Sequence, residues 1–186
     1  MTEKEIAQRV KSVMSEKRYL HTLGCVDMAE RLAKRWGADI ALARRAALLH
    51  DIAKEMPYDK QLALVDEHGI ILNRVQRSEK IIHAFSGAII AWREFDEPED
   101  VCGAIRWHTT AKSGMTLLEK IIWIADLTEE GRSFDGVCDI RKLAFEDLSR
   151  ALISGFDTTL RVLISRGCEI DSNMVKARNS EIAANS

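Results

Sequence analysis

Four histidines and two aspartates occur in segments where a folded chain normally buries apolar side chains. The histidines stand in YLHTLG, LLHDIA, IIHAFSGA and IRWHTT, and they are His21, His50, His83 and His108. Asp51 directly follows His50, and Asp126 ends the apolar run IIWIAD. Burying an ionised group is strongly unfavourable unless the group is paired or binds a metal. These six side chains therefore need partners.

Imidazole and carboxylate are the ligand types of iron, manganese, cobalt and zinc. Six such ligands are too many for one metal that keeps an open position, and they suit two metals that share a carboxylate. Two-metal sites place the ions about 3.5–4 Å apart and clamp an in-line phosphoryl displacement. No cysteine lies in the pattern, which favours hard or borderline metals over a structural thiolate zinc site.

Each of these residues also has an ordinary structural interpretation when it is taken alone. A single histidine on an apolar face is usually a hydrogen-bonded core residue. An aspartate at a helix end usually caps the helix or is exposed to solvent. The fifth histidine, His68, fits such a reading, because it stands just before Gly69. A cationic side chain there favours a helix C-terminus, so we expect His68 at the surface.

The elements that must position these residues are helices. The chain has only two prolines, and its apolar residues recur at spacings of three and four, which predicts an all-α fold. Capping boxes begin helices at Thr2 and Thr116. We predict helices over about 3–14, 16–36, 40 to 51–55, 58–68, 78–84, 87–95, 98–108, 116–126, 140–145 and 147–165.

Composition predicts one soluble globular domain over residues 1–186. Hydrophobic residues make up 46% of the 186 positions and charged residues 30%. This apolar fraction is sufficient to build a hydrophobic core. We expect the core of the domain to span about residues 16–167. We expect the tail after residue 171 to be a weakly attached helix or disordered.

Charge and hydropathy exclude several classes of partner. The formal net charge is -2, so the sequence lacks the excess of basic residues that would indicate nucleic-acid binding. No apolar run approaches the roughly 18 residues of a membrane span, and the charged N-terminus lacks the core of a signal peptide. Four widely separated cysteines predict reduced thiols and a cytoplasmic protein.

The order of His21, His50-Asp51 and Asp126 on a helical chain resembles the HD-domain metal-dependent phosphohydrolases. The segments HDIAKE, HAFSGA, AIRWHTT and KIIWIADLTEEGR narrow this, because together they resemble the YqeK family over residues 18–150. The resemblance implies an HD-domain helical bundle that splits diadenosine tetraphosphate symmetrically into two ADP. One departure stands out: Glu130 occupies a place where the family pattern has proline, which predicts a looser loop before Arg132.

The resemblance also implies a role for each candidate ligand. One metal would be bound by His21, His50, Asp51 and Asp126. Asp51 would bridge to a second metal bound by His83 and His108, and a metal-bound hydroxide would attack the phosphorus. The cofactor would be two divalent or trivalent ions, with iron preferred and manganese, cobalt or zinc also fitting the donors.

A substrate with several negative charges needs cations and hydroxyl groups beside the metals. We assign substrate binding to Lys54, Thr109, Thr110 and Arg132, and catalysis to Asp51, Lys54 and Arg132. The alternatives are a solvated lysine, a simple turn for the threonine pair, and a helix-terminal cation or salt bridge for the arginine.

Other functions stay open at this stage. The chain could be an HD-type phosphatase or phosphodiesterase for a different nucleotide, because fold and metals alone do not fix a substrate. A non-catalytic nucleotide or metal sensor would use the same scaffold. A helical interaction module would bind no metal and would not need these buried groups. A homodimer is compatible with each of these functions.

Overall fold

A computed structural model of the chain describes residues 1–185, and within that range all regular structure is helical, which confirms the all-α prediction. The described range contains ten helices: α1 (Glu3–Val13), α2 (Glu16–Trp36), α3 (Ile40–Leu49), α4 (Tyr58–Glu67), α5 (Ile82–Phe95), α6 (Glu99–Trp107), α7 (Leu117–Thr128), α8 (Val137–Glu146), α9 (Leu148–Ser165) and α10 (Ser172–Ala184).

The helix termini follow the capping signals of the sequence. Thr2 and Thr116 form complete capping boxes at the starts of α1 and α7. The side chains of Ser15 and Asp39 accept hydrogen bonds from the first turns of α2 and α3. Gly37 ends α2 with φ 74°, a conformation that glycine adopts without a Cβ penalty. Local side-chain chemistry therefore sets most helix boundaries.

The prediction of two short helices around HAFSG is wrong. Helix α5 runs without a break from Ile82 to Phe95, and Gly87 lies inside it. A glycine in a helix interior costs only about 1 kcal/mol relative to alanine. The surrounding burial outweighs that cost, because every residue from Ile82 to Ala91 is buried.

Helix α3 ends at Leu49, earlier than we predicted. The chain continues through tight turns in which the Ile52 N–H bonds the Leu49 carbonyl (3.0 Å) and the Lys54 N–H bonds the Asp51 carbonyl (2.9 Å). These bonds span three residues and replace the four-residue pattern of the α-helix. His50 and Asp51 therefore stand in a turn at the end of α3.

Helices α2, α3, α5, α6 and α7 surround the centre of the main core. Helix α3 packs against α2, α6 and α7, and α5 packs against α6. The segment after residue 171 forms α10, which packs on α9 and buries Met174 and Ala177. Among residues 1–185, no helix has the length and hydropathy needed to cross a membrane.

Candidate metal centre

Five elements bring the six predicted ligands into one cluster. Helix α2 carries His21, the turn after α3 carries His50 and Asp51, and α5 carries His83 near its start. His108 caps the end of α6, and Asp126 lies in the last turns of α7. Burial differs among them: His50, Asp51, His83 and His108 are each less than 5% exposed, whereas His21 and Asp126 are partly exposed.

Asp51 stands at the middle of the cluster, and its two oxygens face different histidines. Oδ1 lies 3.3 Å from His83 Nε2 and 3.7 Å from His108 Nε2. Oδ2 lies 3.6 Å from His50 Nε2. This is the arrangement expected of a carboxylate that serves two metals.

The ring nitrogens of His83 and His108 face each other at 3.2 Å. Two nitrogens bound to one metal at about 2.1 Å lie roughly 3.0–3.4 Å apart when their bonds meet at 90–109°. On the other side of Asp51, His21 Nε2 is 3.0 Å and His50 Nε2 is 4.0 Å from Asp126 Oδ1. The cluster thus divides into two ligand groups.

Backbone carbonyls fix the tautomers of two histidines. Nδ1 of His50 lies 2.7 Å from the Ala47 carbonyl, and Nδ1 of His108 lies 2.7 Å from the Ile105 carbonyl. Each Nδ1–H donates to that oxygen, so each Nε2 carries a free lone pair, as metal-binding histidines require.

His50 Nε2 is buried and has no hydrogen-bond partner among residues 1–185. Leaving a buried acceptor unsatisfied costs about 1–3 kcal/mol, and a metal bound to this lone pair would remove the cost. The donor set, the tautomers and this orphaned nitrogen all fit a metal.

Burial keeps two of the histidines neutral. It lowers the pKa of His83 from its ordinary value of 6.5 to about 3, and it also lowers the pKa of His50. Burial acts in the same direction on His21, but hydrogen bonds to Asp126 and Glu129 outweigh it and raise the pKa of that group. Burial raises the pKa of Asp126, yet the His21 hydrogen bond and the Arg132 charge bring it below its usual range.

The lowered pKa values of His83 and His50 predict an acid-sensitive metal-free protein. Below pH 6.5 the unfolded chain protonates His83, whereas the folded chain keeps it neutral down to a pKa of about 3. The unfolded state then binds more protons, so the free energy of unfolding falls as the pH falls through this window. We expect a loss of about 2 kcal/mol from His83 alone between pH 7 and 5. Urea unfolding with a chelator present would measure it.

His83→Asn should weaken this pH dependence, because it removes the buried imidazole. His68 lies outside the cluster, at the end of α4, with Nδ1 2.8 Å from the Leu64 carbonyl. A free energy of unfolding that stays constant from pH 7 to 5 in the metal-free protein would contradict the prediction.

The predicted substrate residues lie around the cluster. Lys54 Nζ is 3.2 Å from each ring nitrogen of His83. The Arg132 guanidinium donates to the Asp126 carboxylate at 2.5 Å and to its carbonyl at 2.8 Å. The Thr110 hydroxyl donates to the Ala111 carbonyl (3.2 Å), whereas the buried Thr109 hydroxyl has no hydrogen-bond partner within the described range.

Two cavities open beside the cluster, with volumes of about 640 and 860 Å³. The first is lined by His108, Thr109, Thr110 and Asp126, and its outer wall is largely apolar, with Trp123, Phe134 and Met174. The second is lined by His21, Lys17, Arg18, Gly24 and Glu129. Arg132 lines both cavities, so it stands where they meet.

The loop after α7 is fixed by an arginine from α8, although it lacks the expected proline. Arg141 donates to the carbonyls of Thr128 (2.6 Å), Glu129 (2.9 Å) and Arg132 (3.3 Å). The Glu130 carboxylate lies 3.7 Å from the same guanidinium. The looser loop predicted from the sequence is therefore compensated by these contacts.

Three side chains that were not predicted from the sequence touch the cluster. Arg18 Nη1 lies 2.7 Å from Asp51 Oδ2, and Glu129 Oε1 lies 3.1 Å from His21 Nδ1. Cys25 Sγ lies 3.5 Å from His21 Nε2, so the expectation that no cysteine joins the pattern does not hold in space. Helical spacing was the available signal for Arg18 and Cys25, because residues three before and four after His21 share its face of α2. Glu129 lies 108 positions from His21 and had no such signal. Burial raises the pKa of the Cys25 thiol well above 9, which keeps it protonated.

Comparison with known proteins places this cluster in context. Residues 18–131 match the HD domain. A Bacillus subtilis (strain 168) protein named symmetrical bis(5'-nucleosyl)-tetraphosphatase is 38% identical over 89% of this chain and 90% of its own length. A Staphylococcus aureus (strain NCTC 8325 / PS 47) protein of the same name is 31% identical over 94% of this chain and 92% of its own length.

A solved structure is similar throughout. The crystal structure of a protein from Clostridium acetobutylicum, described as a predicted HD superfamily hydrolase involved in NAD metabolism, superposes with a TM-score of 0.95 at 39% identity. The match covers 99% of this chain and 98% of that one.

Proposed function

Because this chain belongs to the HD-domain phosphohydrolases and, among them, to the YqeK family of symmetrical bis(5'-nucleosyl)-tetraphosphatases, we propose that it splits diadenosine tetraphosphate into two ADP. The Bacillus subtilis and Staphylococcus aureus relatives carry that name, and the match covers 90% and 92% of their lengths. The family resemblance predicted from the motifs is therefore confirmed. The histidine and aspartate cluster fits the metal dependence of an HD-domain hydrolase.

The position of the cluster between two cavities is the observation that best supports symmetric cleavage of the substrate. A symmetric cut breaks the P–O bond at the centre of the substrate, so each half must extend away from the metals with its own nucleoside. One cavity borders His108 and Asp126, the other borders His21, and Arg132 lines both. The apolar wall of the first cavity suits an adenine ring.

We propose that His83 and His108 would hold one metal, that His21, His50 and Asp126 would hold a second, and that Asp51 would contribute to both. When bound, the metals supply Lewis-acid polarisation of phosphate oxygens and acidify a water at neutral pH. We propose iron as the resident metal, with manganese, cobalt and zinc as the alternatives that imidazole and carboxylate also accept. All four cysteines are free, which supports a reducing cytoplasmic location.

The remaining residues handle the charge of the substrate. Lys54 and Arg132 offset the negative charge that builds up on the departing ADP as the central P–O bond breaks. The unpartnered Thr109 hydroxyl is free to donate to a phosphate oxygen in the first cavity. In the balanced reaction one water is consumed: its oxygen joins one phosphorus, and the bridging oxygen leaves with the other ADP.

A product assay tests this function directly. The purified protein is supplied with ferrous iron, manganese or cobalt under reducing conditions and given diadenosine tetraphosphate in ¹⁸O-labelled water. We expect ADP as the only nucleotide product, with one labelled oxygen for each pair of ADP molecules. AMP together with ATP would contradict the symmetric cut. Absence of turnover with metal demonstrably bound would favour another nucleotide substrate or the sensor function.

A further inference from the structure

Glu129 is a buried carboxylate beside a candidate metal ligand, and it has no role in the predicted ligand set or in the proposed reaction. It is 4% exposed, and both of its oxygens have partners. Oε1 lies 3.1 Å from His21 Nδ1, and Oε2 accepts a hydrogen bond from the Gly131 N–H at 2.5 Å.

The ring orientation of His21 depends on a side chain, unlike the ring orientations of two other candidate ligands. His50 and His108 are oriented by carbonyls of their own chain segments, three residues earlier in each case. The Nδ1 of His21 instead meets a side chain from the loop after α7. With Nδ1 on Glu129, the opposite nitrogen, Nε2, faces Asp126 Oδ1 at 3.0 Å.

We propose that Glu129 is a positioning residue of the metal centre, whose carboxylate fixes the ring orientation and tautomer of His21 so that Nε2 is presented to a metal. The proposal rests on the metal-dependent function proposed above. Carboxylates that orient metal-binding histidines also make the imidazole a better donor.

Two glycines leave the space that Glu129 occupies. Gly24 follows His21 by three residues on α2, and an ideal Cβ there would stand 2.5 Å from Glu129 Oε2. An ideal Cβ on Gly131 would stand 2.9 Å from the same oxygen. Neither glycine has a positive φ, so the backbone conformation does not require glycine at these positions. The Glu129 carboxylate fills the space that a side chain at either position would need.

Only a carboxylate satisfies both donors at this place. The His21 Nδ1–H and the Gly131 N–H each need an acceptor, and Glu129 offers one oxygen to each. Glutamine has a single acceptor oxygen, and its NH₂ group would face one of the two N–H donors. The backbone is fixed from outside, because Arg141 donates to the Glu129 carbonyl at 2.9 Å.

Two variants test the proposal by different routes. Glu129→Gln removes one acceptor, and Gly24→Ala pushes the carboxylate away without changing any candidate ligand. The matched controls are Glu130→Gln, on the exposed neighbouring acid, and Gly87→Ala, four residues after His83. At Gly87 an ideal Cβ meets its neighbours at an ordinary 3.5 Å. The readouts are iron or cobalt affinity, measured by competition with a chromogenic chelator, and thermal unfolding of the metal-free protein.

We expect both test variants to bind metal about 10–100-fold more weakly than the unmodified protein, and both controls to bind it within about twofold. In the metal-free protein, Gly24→Ala should unfold within a few degrees of the unmodified chain, because the gain from alanine in a helix interior offsets part of the cost of moving the carboxylate away from its two donors. Weakened metal binding at a nearly unchanged unfolding temperature separates positioning from a merely structural role.

Unchanged metal affinity in Gly24→Ala and Glu129→Gln would overturn the proposal. So would an equal loss in the Gly87→Ala control. The affinity readout needs no substrate, so failure of the proposed reaction is distinguishable: an unmodified protein that binds metal but leaves diadenosine tetraphosphate intact would contradict the substrate and not the role of Glu129.

Discussion

Replacing Asp51 with asparagine is expected to remove metal binding and to lower kcat/KM for diadenosine tetraphosphate by about 10³-fold or more. The two oxygens of Asp51 face different histidines, His83 and His108 on one side and His50 on the other. Asparagine keeps the shape but offers only one acceptor oxygen, so it cannot serve both ligand groups.

Metal content per chain after desalting and steady-state kinetics measure the two effects together. His50→Ala should show the same joint loss, because it deletes the buried Nε2 that has no other partner in the described part of the chain. Asp59→Asn is the matched control, since that aspartate is exposed on α4. Full activity in Asp51→Asn would refute the proposed ligand set, and unfolding of its metal-free form would be detected by circular dichroism.

Helix positions were readable from the sequence where side chains cap helix ends. The capping boxes at Thr2 and Thr116 lie where predicted. Helix α2 begins and ends at the predicted residues 16 and 36, after the N-cap Ser15 and before Gly37, and α3 begins at the predicted residue 40, after the N-cap Asp39. These signals are local, since each involves residues within a few positions of one another.

The prediction failed where tertiary packing outweighs local preference. The glycine in HAFSG indicated a break, but α5 is buried along most of its length and continues through Gly87. The tight turns after α3 also have no local signal in ALLHDIAKE, which reads equally well as more helix.

The candidate ligands could be selected from the sequence because polar groups in apolar runs are conspicuous. The residues that support them could not be selected in the same way. Glu129 meets His21 across 108 positions of the chain, and its neighbours in the sequence are themselves charged or small. Arg141 fixes the same loop from another helix. Contacts of this kind depend on how the helices pack against one another, and the spacing of apolar residues in the sequence does not predict them.

Replacing Arg132 with alanine is expected to lower kcat by about 10²–10³-fold while metal content stays near that of the unmodified protein. Arg132 lines both cavities, so its guanidinium can reach the phosphates on either side of the bond that breaks. Loss of a preorganised cation removes stabilisation of the charge that develops there.

The contact between Arg132 and Asp126 makes metal content the deciding measurement. The guanidinium donates to the Asp126 carboxylate, so the arginine could act on the substrate or only hold a metal ligand in place. Asp126 keeps His21 as a second partner at 3.0 Å, and this is the reason to expect the metals to stay. Arg31→Ala is the matched control, because Arg31 contacts Glu130 of the same loop at 3.2 Å and lines neither cavity. Normal metal content with slow turnover places Arg132 on the substrate, whereas loss of the metals would mean that its main task is to orient Asp126.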